Sequence, residues 1–227
     1  KLGTTIDNTF QQTRAGMKRT LTMLETPRDT IEYENMDIPE LTEYIKHTAG
    51  QNDAYPAGLY VALTDGALYH ASFVPGPDFN ALEKSWYLNG LESEEFILRE
   101  VYFDEDSQSY VVGASGVLKG SGDAVRGVAA ADVYLDSISD IVSDSQIEDT
   151  GGIFLVDTRT DTIIGHRDDA VVGKKLGESD GMYAYAEEQI QAGKMGISLY
   201  GNTYIEIAGI DGSSWIAVAY VSKAEVL

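Results

Sequence analysis

Lys84, Trp86 and Tyr87, in "DFNALEKSWYLNG", bring an ammonium, an indole N–H and a phenol O–H into one short stretch. Such a cluster donates hydrogen bonds and offers aromatic surface that excludes water. Two acids supply the complement: Asp104 in "VYFDEDSQ" and Asp132 in "GVAAADVYL". Asp132 ends a run of small apolar residues in a predicted strand, where an ionised carboxylate is costly unless it is paired. That favours a binding role. Asp104 opens an acidic run that, read alone, is a solvated turn. A small polar ligand with a charge or dipole at each end would suit donors and acceptors so divided. The wall of such a pocket requires Trp86 and Tyr87 to point the same way. Helical or turn geometry over 84–87 would put Lys84 and Tyr87 on one face.

The same two acids could act as paired carboxylates in a hydrolase, but nothing else in the chain supports catalysis. There is no cysteine, and His47, His70 and His166 are far apart and outside metal-spacing motifs. "DEDSQ" lacks the central glycine and closing acid of a calcium loop. "GSG" at 120–122 precedes no helix that would make it a phosphate cradle. No enzyme activity, metal or cofactor is therefore expected. With 16 Lys+Arg against 37 Asp+Glu, the net charge is −21. Nucleic acid is excluded as a partner, because phosphates need basic patches. The acids are spread along the chain as a solvated surface. No signal peptide or run long enough to span a membrane occurs. The chain opens "KLGTTIDNTF", without Met, and ends "SKAEVL", so it reads as a segment of something longer.

The elements that must position these residues follow from periodicity. Leu2, Ile6 and Phe10, then Met17, Leu21 and Leu24, predict one long helix, with Pro27 as its stop. Its apolar stripe is narrow, which suits packing along one side of a body or pairing with a twin, so a homodimer through this helix is one option. A second helix is predicted over roughly 38–50. "GLYVALTDGALYHAS" reads as a hairpin turning at Asp65-Gly66. Asp78 is the expected N-cap of a short helix that carries Trp86. Strands are expected at about 97–103, 109–118 and 125–134, and a helix over 133–147. Strand–turn–strand, helix and further strands then repeat that order on a smaller scale. The fold class is α+β: a long helix, then two modules, each an antiparallel sheet with flanking helices. The expected boundaries are 1–30 for the stalk helix, 31–147 for the first module with a linking helix, and 148–227 for the second.

"YVALTDG", "DFNALEKSWY", "VYFDEDSQSYVVGASGV", "GVAAADVYLDSI" and "GIFLVDTRTDTIIGH" resemble, in that order, the landmarks of a double Cache domain. That family forms the extracytoplasmic sensors of bacterial chemoreceptors, histidine kinases and cyclases. The resemblance implies two tandem PAS-like modules, the membrane-distal one holding a ligand, between two membrane spans outside this segment.

In the amino-acid-binding branch of that family, an Arg-x-Trp-Tyr motif holds the ligand carboxylate. A Tyr-x-Asp and a later Asp hold its ammonium. Trp86 and Tyr87 match the aromatic pair, Tyr102 and Asp104 the Tyr-x-Asp, and Asp132 the later acid. Lys84 stands where the branch has arginine, and Phe79 where it has tyrosine. The ammonium half is therefore intact and the carboxylate half altered, because lysine is a point charge where arginine is a planar fork. An α-amino acid is the leading ligand class. A pyrimidine base is the alternative, and an amine a further one that Lys84 in the pocket would oppose. A ligand-free structural or partner-binding module is the other reading. His166, in "GHRDD", is taken as structural.

Overall fold

The computed structural model describes residues 2–105, 107–210 and 213–226. Contacts group these into two compact units: residues 18–134, and residues up to Met17 together with those from Leu135 onward.

Helix α1 spans Leu2–Tyr33 and contributes to both units. It does not stop at Pro27, contrary to expectation, but runs through it. Proline has no amide hydrogen for the carbonyl four residues back, which normally breaks a helix. Here the Tyr55 hydroxyl donates to that carbonyl, on Met23, at 3.2 Å. On both sides of the proline, side chains clamp the helix to the unit's sheet and to the loop just before one of its strands. Arg28 Nη1 donates to the Glu94 and Val117 carbonyls at 2.6 and 3.0 Å. Glu25 accepts from the Phe96 amide, and Glu32 from that of Lys119. These long-range bonds offset the local penalty.

Helix α2, Ile38–Thr48, starts at a reciprocal capping box between Asp37 and Glu40. Strands β1 (Tyr60–Leu63) and β2 (Leu68–Tyr69) form the expected hairpin. Gly66 takes a φ of 90°, and the Asp65 carboxylate accepts from the Ala67 amide. The helix carrying Trp86 starts later than expected. Asn80, not Asp78, caps a single turn at Ala81–Glu83, and α3 follows at Ser85–Gly90. Strands β3 (Ile97–Asp104), β4 (Ser109–Lys119) and β5 (Val125–Tyr134) complete an antiparallel sheet of order β2-β1-β5-β4-β3. The middle strands β4 and β5 are covered on both faces, which suits their Ala, Gly, Ser and Val content.

The second unit contains α4 (Leu135–Ser143), β6 (Gly152–Asp157), β7 (Thr162–Gly165), α5 (Met182–Gln191), β8 (Gly196–Tyr200), β9 (Thr203–Gly209) and β10 (Trp215–Ser222). Its sheet order, β7-β6-β10-β9-β8, repeats that of the first sheet strand for strand. One face packs Phe154, Val156, Ile205, Ile207 and Val218 with Ala186 of α5. Helix α4, which the sequence reading groups with the first module, packs on β6 and β7. His166 is buried there, its Nε2 2.8 Å from the Tyr183 hydroxyl and its Nδ1 accepting from the Asp168 amide.

Candidate functional site

Strand alternation places one row of side chains on the same face of the first sheet. Tyr60 of β1 is in register with Ala130 of β5, and Asp132 lies two residues further along β5. On β4, Gly113 pairs with Asp132, and on β3 Tyr102 pairs with Val111. Above this face is a cavity of about 780 Å³, lined in part by Tyr60, Trp86, Arg99, Tyr102, Asp104, Asp132 and Tyr134. Its size is in the range of small-molecule sites.

Asp132 forms the polar centre. Its Oδ1 accepts from the Tyr60 hydroxyl at 3.2 Å, and the Tyr102 hydroxyl is a second donor. Burial pushes the Asp132 carboxyl above its ordinary value, the two tyrosine hydrogen bonds oppose this, and Asp104 adds to the rise. Burial, followed by the charge of Asp132, pushes both phenols well up, so both stay protonated donors. Asp104 lines the cavity while its Oδ2 accepts from the amide and hydroxyl of Ser107.

An aromatic wall runs from this centre. Trp86 meets Tyr60 edge-on at 5.0 Å between ring centroids. Tyr60 contacts His70, His70 contacts Phe73, and Phe73 contacts Phe79, at 5.3, 5.8 and 5.4 Å. The His70 Nδ1 accepts from the amides of Ser72 and Phe73, so a neutral ring carries its proton on Nε2. Burial lowers the His70 pKa, which favours that neutral form.

Five of the seven residues expected at the site, Phe79, Trp86, Tyr102, Asp104 and Asp132, line the cavity. Two do not. Tyr87 is buried against Ala62, Ala81 and Val128. Successive helical residues differ by about 100° in direction, so Trp86 and Tyr87 cannot share a wall. Lys84 is exposed, with its Nζ 5.0 Å from the centre of the Phe79 ring. The cation of the lining is Arg99, which alternation with Tyr102 and Asp104 would have sent to the opposite face. A bulge decides otherwise: Leu98 pairs with Ala114 and Val101 with Val112, leaving Arg99 and Glu100 opposite Gly113. Tyr60, His70 and Tyr134 were also not singled out from sequence. Tyr60 and His70 flank the recognised hairpin turn, and Tyr134 sits two residues beyond Asp132, which is the signal that alternation offered.

The raised Asp132 pKa has consequences of opposite sign for stability and for binding. Between the ordinary carboxylate value of 3.8 and the raised one, the folded protein holds a proton that the unfolded chain has released. Lowering the pH through this window therefore stabilises wild type relative to Asp132→Asn, whose amide does not titrate. Binding of an ammonium group needs the carboxylate and weakens over the same window. Denaturant titrations of both proteins between about pH 4 and 7, with affinity measured in parallel, check this. A stability gap that does not move with pH would show that Asp132 is unshifted.

The family model for the Cache domain matches residues 2–227. The chain belongs to the Cache domain family. Solved structures of similar fold cover nearly all of this Cache domain. The ligand-binding domain of the Pseudomonas fluorescens chemoreceptor CtaA, in complex with L-serine, is 19% identical with a TM-score of 0.68 over 96% of this chain and 94% of that one. The ligand-binding domain of the Pseudomonas aeruginosa amino acid chemoreceptor PctC, in complex with GABA, is 17% identical with a TM-score of 0.67, covering 95% and 96%. That of the P. aeruginosa chemoreceptor PctB, in complex with L-Arg, is 17% identical with a TM-score of 0.65, covering 95% and 91%. At these identities the likeness establishes a shared fold, two tandem α+β modules behind a long helix.

Proposed function

We propose that this Cache domain is the extracytoplasmic sensor domain of a bacterial transmembrane signalling receptor and binds an α-amino acid in the cavity of its first module. The observation that carries the reading is the half-buried Asp132 carboxylate, held by two tyrosine hydroxyls beside an aromatic wall. It offers an ammonium a fixed, partly desolvated counter-charge. The relatives above, solved with amino acids or GABA bound, support the same class. The family and these relatives are binding domains, which favours a sensor over a catalyst. Among the described residues no helix is long and apolar enough to cross a membrane, so anchoring would come from spans flanking this segment. Pairing of two receptors through α1 is part of the proposal.

One observation favours a second ligand class. Three carboxylates, Glu100, Asp104 and Asp132, line the cavity against one guanidinium, Arg99, and Lys84, the charge expected to oppose amines, is not in the lining. Calorimetry with proteinogenic amino acids, pyrimidine bases and aliphatic amines separates the classes. Saturable heat with at least one amino acid is expected. Heat only with amines or bases would keep the sensor and replace its ligand, and none with any amino acid would sink the leading choice.

A further inference from the structure

We infer that Arg99, on strand β3, holds the anionic end of the ligand in this pocket and that Lys84 does not. The inference rests on reading the cavity as an amino-acid site and adds the residue that recognises the carboxylate.

The sheet itself sets Arg99 against Asp132. Gly113 of β4 is in register with Asp132 of β5 on one side and faces the Arg99–Glu100 bulge of β3 on the other. The two side chains thus rise from strands on either side of a glycine, strands whose backbones lie about two strand spacings, or 10 Å, apart. The glycine has no side chain to fill the space between them. Both residues line the same cavity, so a zwitterion lying over this glycine would turn its ammonium to Asp132 and its carboxylate to Arg99.

Arg99 is also preorganised. Its Nη2 donates to the Asn89 carbonyl at 2.8 Å and to that of Ser115 at 3.4 Å, and its Nε donates to the Ser115 hydroxyl at 3.3 Å. Ser115 is fully buried, so one anchor cannot drift. A guanidinium held in a fixed plane loses little freedom when it meets a carboxylate, and it stays charged at any physiological pH. Lys84 has the opposite character. It is exposed at the N-cap of α3, and its ammonium lies over the Phe79 ring. The Phe79 ring gives that ammonium an aromatic face to rest on.

The test uses pairs of ligands that differ only in the carboxylate: an amino acid, the amine left by removing its carboxyl group, and its methyl ester. Calorimetry on wild type, Arg99→Gln and Lys84→Gln gives the ratio of amino-acid to amine affinity. In wild type the amino acid is expected to bind about tenfold or more tighter than either analogue. In Arg99→Gln that preference is expected to vanish, with amine affinity preserved. In Lys84→Gln it should change by less than about threefold. A purely structural Arg99, serving only to tie Asn89 to Ser115, would weaken all three ligands together and leave the ratio intact, which overturns the inference. Loss of the preference in Lys84→Gln also overturns it. Wild type that binds amines but no amino acid overturns it while leaving a sensor, and wild type that binds none of the three removes the proposed function as well. If Arg99→Gln does not fold, Arg99→Lys keeps the charge and loses the fork. Its ratio is expected to fall about threefold or more, and an unchanged ratio counts against the inference.

Discussion

Replacing Asp132 with alanine is expected to weaken ligand binding roughly thirtyfold or more, corresponding to about 2–5 kcal/mol for removing one partner of a desolvated charge pair. Two effects combine. The ligand ammonium loses its counter-charge, and the Tyr60 and Tyr102 hydroxyls lose their shared acceptor. Asp132→Asn separates the effects, because an amide oxygen still accepts from a phenol but carries no charge. If charge dominates, the asparagine variant binds an amino acid almost as weakly as the alanine variant while folding as well as wild type. Calorimetry with a thermal melt of each variant gives the answer. Unchanged affinity in Asp132→Ala would move the site elsewhere in the molecule. Because every ligand class considered places a donor on this carboxylate, the loss is expected for bases and amines too.

Gly90→Ala is expected to destabilise the first unit by about 1–3 kcal/mol, although alanine is worth up to about 1 kcal/mol more than glycine within a helix. The packing is what reverses the sign. A Cβ at Gly90 would lie 2.4 Å from Val128 Cγ1 and 3.1 Å from Ser115 Oγ. Both neighbours are fully buried in central strands, and a β-branched valine has few rotamers into which to retreat. Relief comes by lifting α3, which carries Trp86 and the Asn89 carbonyl that anchors Arg99. Weaker ligand binding is therefore expected along with the lower stability. Val128→Ala alone would cost stability by leaving a cavity, yet in the double variant it makes room for the new methyl group. A coupling of about 1 kcal/mol in that double-mutant cycle is expected, read by denaturant titration. Additive effects would show that α3 is not seated on Val128.

Much of the architecture is legible in local sequence. Asp65-Gly66 specifies the β1–β2 turn, and Asp37 with Glu40 specifies the start of α2. Alternation brackets β3, β4 and β5 within a residue or two. It also puts Tyr102, Asp104 and Asp132 on strands that share a face. Three features are not local. Pro27 reads as a stop because the donor replacing its missing amide hydrogen comes from Tyr55, 28 residues downstream of the proline. Tyr87 reads as a wall because its adjacency to Trp86 in sequence hides the turn of a helix between them. Arg99 reads as facing away because a bulge in β3 has no motif of its own.

The sequence by itself therefore determined the order of elements, the family and the acidic half of the pocket, since these follow from local periodicity, turn chemistry and a run of recognisable segments. Only the tertiary structure decided which cation belongs to the pocket. A residue's side of a sheet depends on register with its neighbours, and one extra residue in β3 sends Arg99 into the cavity while Lys84 stays at the surface over Phe79.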